Sequence, residues 1–295
     1  MKLRIGTRGS KLALIQSEMV KKEILAVDHS LRIEIIPITT TGDKEKTSDL
    51  SKIGGKALFL KEIEEALLSK EIDIAVHSLK DVPFVIPKGL KLAAVLRRED
   101  ARDVFISSNG KKLNELSQGS VIGTSSMRRA VQILNIRSDF KIVPFRGNVD
   151  SRLRKVEEGK VDATILALAG LKRMGLYSKS YQILDIEKMI PAVGQGAICV
   201  ECSEKDEVVL EVLKKINHIG TNILVSAERG FLETIEGNCQ TPMGAYAEFC
   251  DGQVQLRCFL AEVSSSKMIV KEGIGEPDNA YEIGKKIAYE ILSEI

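Results

Sequence analysis

The 295-residue chain has almost no excess charge of either sign, 43 Lys and Arg against 41 Asp and Glu for a net +2. That balance argues against a surface built for nucleic acid or an anionic membrane, so any basic site must be local. No run approaches the roughly 18 apolar residues of a membrane span. The opening "MKLRIGTRGSKLALIQ" also lacks the apolar core and small-residue cleavage site of a secretory signal. A cytoplasmic, globular protein is expected. Five cysteines are an odd number without the dense spacing of a disulfide framework, so reduced thiols are expected. "CVEC" sets Cys199 and Cys202 at C-x-x-C spacing, but no second pair or neighbouring histidine completes a metal site. On a strand, residues three apart also point to opposite faces, so no metal is expected. Cys250 and Cys258 lie in strand-like runs and read as small core residues. "GGKALF" is not a phosphate loop, because Leu50 occupies the first glycine position and Ala57 the terminal hydroxyl position. "GTRGSK" does not supply the G-x-G-x-x-G of a dinucleotide site.

What is present is an alternation of strand and helix periods. "KLRIGT" reads as a strand, "SKLALIQSEMVKKEIL" as a helix with Leu12, Ile15, Met19 and Ile24 on one face, and "LRIEIIPIT" as a second strand. A helix over "ALFLKEIEEALLSK" and a strand over "IDIAVHS" continue the pattern, which predicts a mainly parallel sheet covered by helices. The charged run "RREDARD", Arg97 to Asp103, reads as a linker to a second unit of the same kind. "IGTRGSKLA" and "IGTSSMRRA" match as strand, hydroxyl-rich turn and helix start, and "EIDIAVHSLKD" matches "KVDATILALAGLKR". Two similar α/β domains facing each other across a cleft are expected. From about Glu207 the pattern changes to two helices, a hairpin turning at Asp251-Gly252, a further strand and a terminal helix, as in a smaller α+β domain. Cys239 lies in "TIEGNCQTPMGAYA", just past Gly237, a predicted helix C-cap, and so on a loop.

Arginine in a first helical turn opposes the helix dipole by about 0.3 to 1 kcal/mol, yet this chain repeats the arrangement. Arg8 stands with Ser10 at one helix start, Thr124, Ser125, Ser126, Arg128 and Arg129 at another, and Arg146 and Arg152 at a third. Hydroxyls, helix N–H groups and guanidinium forks at strand ends make anion sites, and they imply a small ligand with several negative charges. "HSLKDVP" places Lys80 and Asp81 past a strand end, where an ionised carboxylate among cations could stabilise a substrate cation. His77, just before them, reads as a packing or hydrogen-bonding residue.

Taken together, "GTRGSKLALIQ", "GGKALFLKEIE", "AVHSLKDVP", "GTSSMRRA", "FRGNVDSRL", "ALAGLKRMGL", "PAVGQGA" and "GNCQTPMGAYA" resemble the porphobilinogen deaminase (hydroxymethylbilane synthase) family across most of the chain. The resemblance implies two periplasmic-binding-protein-like α/β domains around a cleft plus a smaller α+β C-terminal domain. Their expected bounds are 1–97 with 193–215, 98–192 with the anion-binding arginines, and 216–295 with the cysteine loop. It implies a monomeric transferase that joins four porphobilinogen molecules head to tail and releases ammonia at each step. It further implies a dipyrromethane cofactor held by a thioether to Cys239. Asp81 is then the catalytic residue, bonding pyrrole N–H groups and stabilising the cation left as ammonia departs. Lys80, Asp81, Thr124, Ser125, Ser126, Arg128, Arg129 and Arg146 match cofactor-binding positions, and Arg8, Ser10, Arg146, Arg152, Arg173 and Gln195 substrate-binding positions. Lys52, Lys56 and Phe59 match a loop over the site. Departures are Asn238 at a frequent glycine position, Thr241, Met243, and Ile15 in place of a common aromatic; none removes a charge. Two other readings are a two-lobed polycarboxylate-binding module without catalysis, and a dinucleotide-dependent oxidoreductase. The first leaves Asp81 and the Cys239 loop without a task, and the second lacks its glycine motif.

Overall fold

The computed structural model describes residues 2–41, 60–238, 240–262 and 267–295. Within them the chain divides into two compact units, 1–98 with 197–222 and 99–196 with 223–295.

The first unit is built on β1 (Lys2–Arg8), α1 (Lys11–Val27), β2 (Arg32–Ile38), α2 (Lys61–Leu68), β3 (Ile74–Ser78) and β4 (Leu90–Val95). Its sheet has the order β2-β1-β3-β10-β4, where β10 (Ile198–Ser203) arrives from more than a hundred residues downstream. β1, β2 and β3 run parallel, and β10 runs antiparallel to β3 and β4, so the expected mainly parallel sheet carries one reversed strand. Pro37 is accommodated because β2 is an edge strand, where a missing N–H leaves no ladder bond unmade. Both faces of the sheet are covered. Leu3, Ile5, Ile74, Val76 and Val200 pack with Val20 and Ile24 of α1 and with Leu213 of α6 (Glu207–Ile216), while Ala75 meets Ile63 and Leu67 of α2 on the other side. The buried stripe of α1 is Gln16, Ser17, Val20 and Ile24. This corrects the expected face: Met19 is 38% exposed, and Leu12 and Ile15 are only half-buried. Small and polar residues face the strand ends there because Gln16 donates from Nε2 to Ser78 Oγ at 2.8 Å, and Ser17 Oγ donates to the Ala13 carbonyl at 3.0 Å.

The second unit repeats this plan with β5 (Asp103–Ser107), β6 (Val121–Gly123), α3 (Met127–Ile136), β7 (Lys141–Val143), α4 (Val149–Glu157), β8 (Ala163–Ala167), α5 (Leu168–Arg173) and β9 (Gln182–Ile183). The order β7-β6-β8-β5-β9 places parallel β6, β7 and β8 as β1, β2 and β3 are placed, with β5 as the reversed strand. The short sequence matches therefore fall on equivalent elements, β1 with β6 and β3 with β8. Phe105, Ile122, Ile133 and Ile165 fill one face, and Val104, Ile106, Leu153, Leu166 and Leu171 the other.

Grouped with this unit is a three-stranded antiparallel sheet, β11 (Met243–Cys250), β12 (Gln253–Ala261) and β13 (Met268–Gly275), packed on α7 (Ile219–Thr234) and α8 (Ala280–Leu292) through Phe231, Leu256, Cys258, Ile287 and Ile291. Asp251 (φ 50°) and Gly252 (φ 83°) form the predicted hairpin turn, whose two left-handed residues match the twist of the flanking strands. Two details differ from expectation. Cys250 is exposed, because it lies at the strand end beside that turn. The left-handed residue after α7 is Glu236 (φ 52°) rather than Gly237, and the Gly237 N–H bonds back to the Leu232 carbonyl at 3.1 Å.

Candidate functional site

In the first unit the singled-out residues gather at the carboxyl ends of two hydrogen-bonded parallel strands, where ligands of such sheets bind. Arg8 is the last residue of β1, and Ser10 caps α1 by accepting from the Ala13 N–H at 3.3 Å. Lys80 and Asp81, both exposed, belong to a single 3-10 turn, Leu79–Asp81, that follows β3 directly. Leu79 is buried and anchors the turn, and the Val82 N–H closes it on the Leu79 carbonyl at 3.0 Å. His77 is buried with its Nε2 3.2 Å from Glu201 Oε2, the hydrogen-bonding role expected of it. Glu64 of α2 completes an internal acidic cluster. Burial, aided by the charge of Glu201 and opposed by His77, pushes the Glu64 carboxyl up to about 7.

In the second unit the hydroxyl-rich turn after β6 is fixed by backbone N–H groups of the turn itself, of α3 and of the segment after β7. Thr124 Oγ1 accepts from the Ser126 N–H at 3.2 Å, Ser125 Oγ from the Phe145 N–H at 2.9 Å, and Ser126 Oγ, the cap of α3, from the Arg129 N–H at 3.4 Å. Each hydroxyl oxygen thus acts as an acceptor and keeps its proton to donate. Arg146 is exposed beyond β7, Arg152 is half-buried on α4, and Arg173 ends α5 with its Nη2 donating to the Gly196 carbonyl at 2.7 Å. Burial lowers the Arg173 pKa from its ordinary value, with the charge of Glu99 opposing.

Arg128 and Arg129 are not solvated. They are 5% and 6% exposed and share the carboxylate of Asp103, which is wholly buried. Arg128 donates from Nη2 to Asp103 Oδ2 at 2.7 Å and from Nη1 to the Ile190 carbonyl at 2.7 Å. Arg129 donates from Nη2 to Asp103 Oδ1 at 2.8 Å, while its buried Nε has no hydrogen-bond partner among the described residues. Gln195, 1% exposed, donates from Nε2 to the Ala101 carbonyl at 2.6 Å and to Asp103 Oδ1 at 3.0 Å. Burial alone would push the Asp103 carboxyl up, but the two guanidinium charges and their hydrogen bonds outweigh it and hold the group well below the usual carboxylate range.

The turn presenting Gln195 is held at both ends. Glu228 of α7 accepts from the Gly194 N–H at 2.7 Å and from the Ala247 N–H at 2.9 Å. Gly196 has φ 88°, and a Cβ there would sit 2.3 Å from the Glu99 carbonyl oxygen, so only glycine fits.

Sequence reasoning missed Asp103, which it took as the end of a charged linker. The available signal was the pair of arginines in a first helical turn, which requires a nearby counter-charge if it is buried. Lys52, Lys56, Phe59 and Cys239 lie outside the described residues. Among the described residues, no helix is long and apolar enough to cross a membrane.

Comparison with known proteins matches two family models: "Porphobilinogen deaminase, dipyromethane cofactor binding domain" over residues 3–211 and "Porphobilinogen deaminase, C-terminal domain" over residues 222–293. The porphobilinogen deaminase of Rickettsia bellii (strain OSU 85-389) is 47% identical over 292 residues, covering 98% of this chain and 97% of that protein. That of Syntrophobacter fumaroxidans is 45% identical over 290 residues, covering 98% of this chain and 94% of that protein. Among solved structures, the periplasmic aliphatic sulphonate binding protein SsuA from Escherichia coli is similar at 13% identity and a TM-score of 0.42, covering 80% of this chain and 70% of that one.

Proposed function

Because the chain belongs to the porphobilinogen deaminase family, we propose a specific assignment of that family's chemistry to its own side chains. The chain is a transferase that condenses porphobilinogen into the linear tetrapyrrole hydroxymethylbilane with release of ammonia, and its cofactor is dipyrromethane. The observation that carries the assignment is the donor set at the start of α3. Three hydroxyls with protons to give, beside two arginines that share one aspartate, suit an acceptor-rich, carboxylate-bearing group. The residues therefore fit the cofactor. When bound, it supplies the pyrrole carbon to which the first substrate unit is joined.

Thr124, Ser125, Ser126, Arg129 and Arg146 hold the cofactor's acid side chains, Arg128 contributes from within the buried network, and Cys239 is the covalent anchor. Lys80 and Asp81 share one turn, which presents a cation and a carboxylate together. Asp81 accepts the hydrogen bond of a substrate pyrrole N–H and stabilises the cation left as the aminomethyl group departs as ammonia. Arg8, Ser10, Arg152 and Arg173 bind the acetate and propionate groups of porphobilinogen, each charge-assisted bond being worth roughly 1.5 to 3 kcal/mol. Gln195 serves the substrate through Asp103, because its amide donates to Ala101 and Asp103. Residues 1–97 with 193–215, 98–192 and 216–295 serve as three functional domains of a cytoplasmic monomer. A binding module without catalysis is not favoured, since it gives the lysine-aspartate turn no task.

Intact masses of denatured wild-type and Cys239→Ser protein, made in cells that supply porphobilinogen, test the anchor. Wild type should exceed its sequence mass by two linked pyrrole units and the variant should not. Equal masses would reject Cys239. Asp81→Ala should show essentially no turnover and Asp81→Glu a weak residue of it; a wild-type rate in Asp81→Ala would remove that residue from the chemistry.

A further inference from the structure

We infer that Asp103 is a positioning residue for cofactor capture: its buried carboxylate sets the plane of the Arg129 guanidinium beside the hydroxyl turn at the start of α3, where a ligand acid group binds. The inference rests on the cofactor-binding reading of the α3 turn. Asp103 is the first residue of β5, wholly buried, and accepts three hydrogen bonds from two other parts of the unit, the start of α3 and the turn before β10. A guanidinium is rigid and planar, so fixing one terminal nitrogen and the backbone fixes the direction of the remaining N–H bonds. Arg129 is fixed in this way. Its Nη2 is on Asp103 at 2.8 Å, its backbone N–H is on Ser126 Oγ at 3.4 Å, and its Nε remains without a partner among the described residues although buried. The two guanidinium groups around the single Asp103 carboxylate leave a positive charge beside the hydroxyl turn, which the acid group of a ligand would balance. Arg128 differs, with both terminal nitrogens bonded inside the protein, so it braces Asp103 and leaves the ligand-facing task to Arg129.

Charge and orientation predict opposite results. Two arginines and one aspartate leave a local charge of +1. In Asp103→Asn that charge rises, so an attraction depending on charge alone would strengthen. Positioning predicts the reverse, because an asparagine amide turns a donor toward one guanidinium and releases its plane. The test is the fraction of soluble, folded protein carrying the cofactor mass in wild type, Asp103→Asn, Arg129→Lys and the double variant, with circular dichroism to establish folding. The loaded fraction should fall about tenfold in each single variant, the worth of one oriented charge-assisted bond. The double variant should fall no further, since both changes remove the same oriented donor. Loading in folded Asp103→Asn equal to or above wild type would overturn the inference, as would additive losses. If Asp103→Asn does not fold, Arg129→Lys decides: it keeps the charge but lacks the planar guanidinium, so wild-type loading there would overturn the inference too. A wild-type chain without excess mass would instead reject the cofactor reading beneath it, a different and recognisable result.

Discussion

Glu64 shows how one buried carboxyl makes stability depend on pH. Burial first, then the charge of Glu201, raise its pKa from 4.5 to about 7, with His77 pulling the other way. The unfolded chain releases this proton near the ordinary value, whereas the folded chain keeps it until about 7. Between those values the folded state binds more protons, so this group's contribution to stability falls as pH rises through that window and then levels off. Glu64→Gln has no proton to lose. It should match wild type at about pH 4.5 and exceed it at about pH 8 by as much as roughly 3 kcal/mol, the full shift converted to free energy. Urea unfolding at the two pH values measures this, and an unchanged difference between them would show that Glu64 ionises normally. Neither Glu64 nor Asp103 was legible in the sequence, whereas Asp81 and the hydroxyl-arginine turn stood out there as candidates. A motif displays residues that meet a ligand, but a buried counter-charge is defined by its partner, which lies 25 and 26 positions away for Arg128 and Arg129.

Helix starts reveal a similar division at the level of elements. Ser10 caps α1 at 3.3 Å and Ser126 caps α3 at 3.4 Å, both long bonds, whereas Asp206 caps α6 at 3.1 Å. Each of the first two helices begins at a turn proposed to bind an anion in its own unit, where the hydroxyl would also have a ligand to serve. Asp206 has only the helix to hold, so Asp206→Ala should cost about 1 kcal/mol of stability and leave KM for porphobilinogen unchanged. Chemical denaturation with steady-state kinetics checks both halves, and a raised KM would give α6 a part in binding. Strand and helix periods were readable for most elements because apolar spacing reports burial directly. The face of α1 was misplaced because Gln16 and Ser17 replace large apolar groups on its inner side, hydrogen-bonding Ser78 and the Ala13 carbonyl. Cys250 was misplaced for the converse reason, a strand-like residue that sits exposed at a strand end.

For the whole molecule, connectivity predicts an order of assembly. The chain passes between the two units at 98/99, 196/197 and 222/223. All five strands of the second sheet lie within one continuous stretch, with β6 meeting β8 across 41 residues at Gly123 and Thr164. The first sheet cannot close until β10 enters between β3 and β4, 122 residues after His77 at Cys199. Loop-closure entropy alone separates these events modestly, by about 1 kcal/mol. Folding of the second unit adds to the difference, because it brings Glu99 and Gly196 together through an N–H to carbonyl bond of 3.1 Å. Both chain exits toward the first unit are then adjacent, and the closure needed for β10 shortens sharply. In pulsed hydrogen exchange during refolding, amides of Val121–Gly123 and Ala163–Ala167 should therefore gain protection before those of Ile74–Ser78. Protection of Ile74–Ser78 first would mean that β1, β2 and β3 form a stable sheet without β10, and that the continuous stretch does not lead.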